Sequence, residues 1–104
     1  MLLETLELKA KGVRVRLTSE FSAICPLSKT VDKYVLEVEY VGNGRFVELG
    51  SLRRYLDSFK DQEWYHEDLC ERILFDFKKV LNTKVKVKLT SYYCGIKVEV
   101  EKTS

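Results

Sequence analysis

Proline occurs once and glycine five times in this chain of 104 residues. That is too few for a linker, a collagen-like repeat or a disordered tail. No apolar run approaches the roughly 20 residues of a membrane-spanning helix. The opening stretch carries Glu4 and Glu7 and no basic segment, which argues against a secretory leader. Cysteine occurs three times, at 25, 70 and 94, without a Cys-x-x-Cys pair. An odd count so spaced excludes a disulfide framework and the usual zinc spacing, so no metal site is expected and the cytoplasm is the default setting. A dominant charge sign is also missing: 18 Lys and Arg oppose 16 Asp and Glu, for a net charge of +2. Nucleic-acid modules are usually far more basic. The length supports one domain, residues 1–104.

The 45% of hydrophobic residues are strongly patterned. Leu6, Leu8 and Ala10 alternate with polar residues, as do Val13, Val15 and Leu17. With Gly12 shifting the phase, they read as a long kinked strand or, less simply, a tight hairpin. Residues 18–33 show no sustained period and predict a long connection. Leu36, Val38 and Tyr40 restore period two until Gly42-Asn43-Gly44. Leu49, Leu52, Tyr55, Leu56 and Phe59 then share one face of a helix. A second helix is expected from about Glu67 to Leu81, with Leu69, Cys70, Ile73, Leu74, Phe77, Val80 and Leu81 buried. Its first turn is acidic, Lys78 and Lys79 stand in its last, and Asn82 suits a C-cap. Val85–Leu89 and Ile96–Val100 make two final strands joined around Ser91–Gly95. The resulting β-β-α-α-β-β order predicts an α+β fold, one antiparallel sheet with both helices on one side.

Several residues are chemically suggestive. Cys25 lies in the expected loop, where Pro26 biases it to extended backbone. Asp32 follows seven positions later, within reach on loop closure. Such a carboxylate raises a thiol's pKa by like charge, which suits a thiol that surrenders a proton and an electrophile that soon receives one. Taken alone, a small, partly buried cysteine remains the simpler reading. Cys70 on the helix stripe and Cys94 in a turn read as structural. His66 and Glu67 open the second helix, as an acid/base pair or as ordinary residues of a helix start. Glu48 has the same everyday explanation at the first helix. Lys9, Lys11, Arg14, Arg16, Lys84, Lys86 and Lys88 alternate with apolar residues, as on the solvated face of strands. Multiplied over an oligomer they would also form a broad basic surface.

Taken together, Cys25-Pro26 with Asp32, Glu48-Leu49-Gly50-Ser51-Leu52-Arg53-Arg54-Tyr55, Ser58-Phe59-Lys60 and His66-Glu67 resemble the 7-cyano-7-deazaguanine reductase (QueF) family. That family shows Cys-Pro with an Asp seven positions after the Cys, an E-S-K-S-L-K-x-Y helix opening, S-F-R and H-E. The resemblance runs in register from residue 21 to about 75. It implies the tunnelling fold (T-fold), whose subunits close into pentameric barrels that stack in pairs. It further implies that Cys25 adds to a nitrile as a thioimide, that Asp32 is the acid/base and that His66 is an auxiliary proton or substrate contact. Glu67 would anchor the deazaguanine at a subunit interface, beside Glu48, Leu49 and Ser51.

The departures matter equally. Gly50 and Leu49 replace a lysine and a serine of the motif associated with NADPH, and losing a cation removes a phosphate-pairing group. The resemblance is therefore strongest to the archaeal QueF-like branch. An enzyme of that branch converts 7-cyano-7-deazaguanine in the tRNA D-loop to the formamidine of archaeosine, with ammonia as co-substrate and no redox cofactor. The alternative is the NADPH-dependent reductase of queuosine biosynthesis, acting on the free base. A non-catalytic oligomeric scaffold with an inert Cys25 is the third possibility.

Overall fold

The computed structural model describes residues 2–104. Strands β2 (Val13–Ile24), β3 (Val31–Gly42), β5 (Val85–Tyr93) and β6 (Ile96–Thr103) form an antiparallel sheet in the order β2-β3-β5-β6. Helices α1 (Leu49–Asp57) and α2 (His66–Leu81) lie between β3 and β5 in the chain. Short strands β1 (Thr5–Glu7) and β4 (Arg45–Val47) pair as a separate two-stranded ribbon.

Period-two alternation explains the sheet. Phe21, Ala23, Tyr34, Leu36, Val38, Tyr40, Val85, Val87 and Leu89 point to one face and join a single core with Leu52, Leu56, Leu69, Ile73 and Phe77 from the helices. The opposite face is charged, and its strands are laced by Arg16–Glu39 at 3.7 Å, Lys86–Glu101 at 3.6 Å and Lys88–Glu99 at 2.8 Å, with Arg14 also on Glu39. Burial of the first face, at about 25 cal/mol per Å² of apolar surface, drives the assembly, whereas exposed ion pairs add little.

Three expectations are corrected. The long connection over residues 18–33 does not exist: β2 runs to Ile24 and β3 starts at Val31, in register from Val13↔Gly42 to Ile24↔Val31. Only Cys25–Thr30 turns, held by Cys25 N–H to Thr30 O at 2.8 Å and Lys29 N–H to Cys25 O at 2.9 Å. Phe21, Ala23 and Cys25 continue the inward alternation, but small polar neighbours hid it. Nor do residues 6–17 make one kinked strand. The chain turns at Gly12, whose φ of 66° places it in the left-handed region and whose N–H donates to Asn43 Oδ1 at 2.6 Å. Leu49, assigned to the buried stripe of α1, is 62% exposed, because the inner side of the first turn is taken by Ser51 and Leu52. The second helix behaves as expected. Its stripe is buried except for the half-buried Val80, and Asn82 ends it at φ 51° with its N–H bonded to Lys78 O at 2.8 Å.

Candidate active site

The end of the sheet nearest the β2–β3 turn gathers the chemically suggestive residues. Past Ile24 the inward alternation delivers Cys25 to the helix side, where it is buried. The register Ala23↔Asp32 puts the Asp32 carboxyl on the same side, also buried. The segment between the helices completes the site. Ile24 N–H donates to Gln62 O at 2.8 Å and Trp64 N–H to Ile24 O at 3.0 Å, a two-residue parallel bridge. This bridge carries Trp64, Tyr65 and the start of α2 against the turn. Cys25, Pro26, Leu27, Asp32, Trp64, Tyr65, His66, Glu67 and Tyr93 then line one cavity of about 150 Å³.

Within it the groups are differentiated. His66 Nε2 stands 3.6 Å from Asp32 Oδ2, too long for a hydrogen bond but close enough for attraction once the ring is protonated. The His66 ring meets Tyr34 edge-on, with centroids 5.4 Å apart, and Tyr34 stacks on Phe21 at 5.2 Å. The Tyr34 hydroxyl is buried without a hydrogen-bond partner among the described residues. Burial, followed by the charges of Asp32, Cys25 and Glu67, pushes its pKa up. Glu67 is exposed at the mouth.

The Cys25 thiol is held below its ordinary pKa. Polar groups of its own turn lower it, the Ser28 hydroxyl first and then the main-chain N–H groups of Ser28 and Leu27. Burial and the Asp32 charge oppose them and lose. The raising effect expected from Asp32 is thus real but is the weakest contribution, because donors in the turn stabilise the thiolate directly. Cys70 lies in the core, its thiol raised mainly by burial and directed at the carbonyls of Val87 and Val100 at 3.8 and 3.9 Å. Cys94, expected to be structural, is instead exposed in the β5–β6 turn.

Glu48, Leu49 and Ser51 do not line this cavity. They build the start of α1. Glu48 caps it by accepting from the Gly50 and Ser51 N–H groups, and those two bonds hold its carboxyl below the usual range. Ser51 is fully buried; its hydroxyl accepts from Glu4 N–H at 2.9 Å and donates to Glu48 O at 2.8 Å. A Cβ on Gly50 would lie 2.9 Å from Glu48 Oε2, so the residue replacing the motif lysine sits hard against the capping carboxylate. Arg53, which keeps the cation of the motif, is engaged by Asp57 at 2.9 Å and by Ser19 and Glu20 of β2.

Residues 32–102 match the model of the QueF-like protein family. The chain belongs to that family. Among QueF-like relatives, an archaeosine synthase of Pyrobaculum calidifontis is 38% identical over 87 residues, covering 83% of this chain and 80% of that protein. An NADPH-dependent 7-cyano-7-deazaguanine reductase of Thermotoga petrophila is 36% identical over 93 residues, 88% of this chain and 67% of that protein. The crystal structure of the archaeosine synthase QueF-Like in its apo form superposes with a TM-score of 0.87 at 35% identity, over 91% of this chain and 96% of that one. The fold is therefore the tunnelling fold that the motifs implied.

Sequence reasoning found Cys25, Asp32, His66 and Glu67, which meet. It missed Ser28, Trp64, Tyr65 and Tyr93. A hydroxyl three residues beyond a candidate nucleophile was a usable signal for Ser28; the others depend on the Ile24 bridge and had none.

Proposed function

We propose that the protein is an archaeosine-forming enzyme of the QueF-like type. It converts the nitrile of 7-cyano-7-deazaguanine in the D-loop of tRNA into a formamidine, using ammonia. The observation that carries this reading is the convergence of Cys25, Asp32, His66 and Glu67 on one cavity, together with Gly50 where the reductase motif has lysine. The archaeosine synthase relatives in sequence and in structure support it.

The chemistry follows from the groups. The Cys25 sulfur, activated by the Ser28 and Leu27 donors, adds to the nitrile carbon, and the nitrile nitrogen takes a proton delivered by Asp32. Ammonia then attacks the thioimide carbon, the C–S bond breaks, and the thiolate recovers a proton as the amidine forms. No electrons change hands, so the reaction requires no nicotinamide. One difficult addition becomes two easier ones. Glu67, exposed and anionic, accepts hydrogen bonds from the edge of the heterocycle, and His66 passes protons or touches the substrate beside Asp32.

The site works in an oligomer of two stacked pentameric barrels. The outer strands β2 and β6 each leave one edge unpaired in the protomer, and antiparallel pairing of these edges between copies closes a barrel and removes a liability to aggregation. Exposed Leu49, with Glu48 and Ser51 behind it, then reaches the base from a neighbouring copy. No helix among the described residues is long and apolar enough to cross a membrane, and we place the enzyme in the cytoplasm with its tRNA.

The test is the mass of the product from nitrile-bearing tRNA incubated with ammonium chloride and no NADPH. Gain of one ammonia per modified base is expected. No conversion, or NADPH consumption with the free nitrile base, would overturn the reading in favour of the reductase. Absence of a new absorbance band on mixing with the free nitrile base would leave only a scaffold.

A further inference from the structure

The cations separate into two classes. Arg14, Arg16, Lys86 and Lys88 are matched by carboxylates across the charged face of the sheet. Lys29, Arg53, Arg54, Arg72, Lys97 and Lys102 are matched elsewhere. Most of the expected basic surface is thus neutralised within the fold. Among the described residues eight cations have no such partner: Lys33 and Lys60 stand apart beside Tyr34, Lys78 and Lys79 lie in the last turn of α2, and Lys9, Lys11, Arg45 and Lys84 gather at the end of the sheet away from Cys25. Lys9 and Lys11 lie on a loop fixed by Leu8 N–H to Gly44 O and Gly44 N–H to Ala10 O, both 2.8 Å. Lys84 precedes Val85, which pairs with Tyr40 near the end of β3. Arg45 starts β4, its guanidinium 3.4 Å from Val80 O.

Between these elements lies a cavity of about 430 Å³ lined by Lys11, Arg45, Asn43 and Asn82, with Glu7 on its wall. Gly44 keeps it shaped: its φ is 87°, and a Cβ there would press on Lys11 Nζ at 2.7 Å. No aromatic side chain lines it, so a stacked base is a poor occupant. Cationic heads and carboxamides suit phosphate and ribose oxygens. The cations extend beyond the cavity to Lys9 and Lys84, more than a single free anion would need. This end is also remote from the chemistry. At the strand rise, the length of β2 puts it about 36 Å from Cys25, too far to touch a base bound there yet within the span of a folded RNA.

We propose that this end of the sheet is a phosphate-backbone dock, centred on Lys11 and Arg45, that grips the RNA carrying the reacting base. The proposal rests on the RNA-directed reading above. It makes affinity for the polymer separable from reaction with the base alone.

The test uses the full-length protein and the Lys11→Gln/Arg45→Gln double variant. Affinity for nitrile-bearing tRNA is measured across a range of salt concentrations. The absorbance band formed with free 7-cyano-7-deazaguanine is measured in parallel. Removing one cation from a phosphate should lower the salt slope by about 1 and weaken binding roughly fivefold near physiological salt. The double variant should therefore bind tRNA about 25-fold more weakly with a slope flatter by about 2, while its free-base band is unchanged. Wild-type affinity and slope in the variant would overturn the dock. Failure of the wild-type protein to form the band would instead sink the catalytic reading. Should the double variant lose the band through misfolding, Lys9→Gln/Lys84→Gln, both exposed, carries the same two readouts, and unaltered tRNA binding there overturns the proposal.

Discussion

The turn joining β2 to β3 and the turn joining β5 to β6 stand at the same end of the sheet, and each holds a cysteine. The first encloses Cys25. Cys25 is buried on the helix side, and the polar groups of Ser28 and Leu27 lower its thiol pKa. The second exposes Cys94 at φ 50°, followed by Gly95 at φ 79°, a pair that fits the right-handed twist of a tight hairpin. Burial alone does not set them apart, since core Cys70 is buried too and its thiol is pushed up. What distinguishes Cys25 is burial together with neighbouring polar groups that lower its pKa. The first turn lines the candidate site and the second only reverses the chain, although Tyr93 beside it still contributes to the cavity wall.

The sharpest break of this contrast is Cys25→Ala. It should lower amidine formation on nitrile-bearing tRNA by on the order of 10⁴-fold or more, whereas Cys94→Ser should leave it unchanged; equal effects would mean that burial confers no privilege. Next comes Glu67→Gln. Losing one charge-assisted hydrogen bond costs about 1.5–3 kcal/mol, so KM for the substrate should rise roughly 10- to 100-fold, and an unmoved KM would remove Glu67 from recognition. At the other turn the requirement is conformational. Gly95→Ala should cost about 1 kcal/mol in denaturant melts, because alanine resists the left-handed region, with activity per folded molecule intact. The smallest effect belongs to Ser28→Ala. Its hydroxyl favours the thiolate, so removing it raises the Cys25 pKa. The pH dependence of Cys25 alkylation should then move to higher pH; a move to lower pH would contradict the role assigned to the hydroxyl.

Much of the fold was legible because burial imposes a period. The α2 stripe from Leu69 to Leu81 and the alternation in β3, β5 and β6 could be read directly. Residues 18–24 failed because Thr18, Ser19 and Ser22 belong to an edge strand, whose partial solvation admits small polar side chains that blur the alternation. The pairing of β1 with β4 brings Thr5 opposite Val47, a contact that local pattern does not encode. At the site, the resemblance to the QueF family singled out Cys25, Asp32, His66 and Glu67, since motif order survives in the sequence, whereas spacing alone left their simpler readings ahead. It could not reveal that donors within the Cys25 turn outweigh Asp32, nor that Glu48 and Ser51 spend their polar atoms on the start of α1. The same limit applied to the cations: alternation with apolar residues suggested one basic surface, and only the cross-strand register showed which lysines and arginines are already matched.

The paired hydrogen bonds from Ile24 to residues 62 and 64 yoke the strand that presents the sulfur to the linker leading into Glu67, the proposed base anchor. Reactive atom and recognition element therefore travel as one piece, and neither can be retuned alone. Anyone transplanting this chemistry into another scaffold must move the clasp along with the residues it aligns.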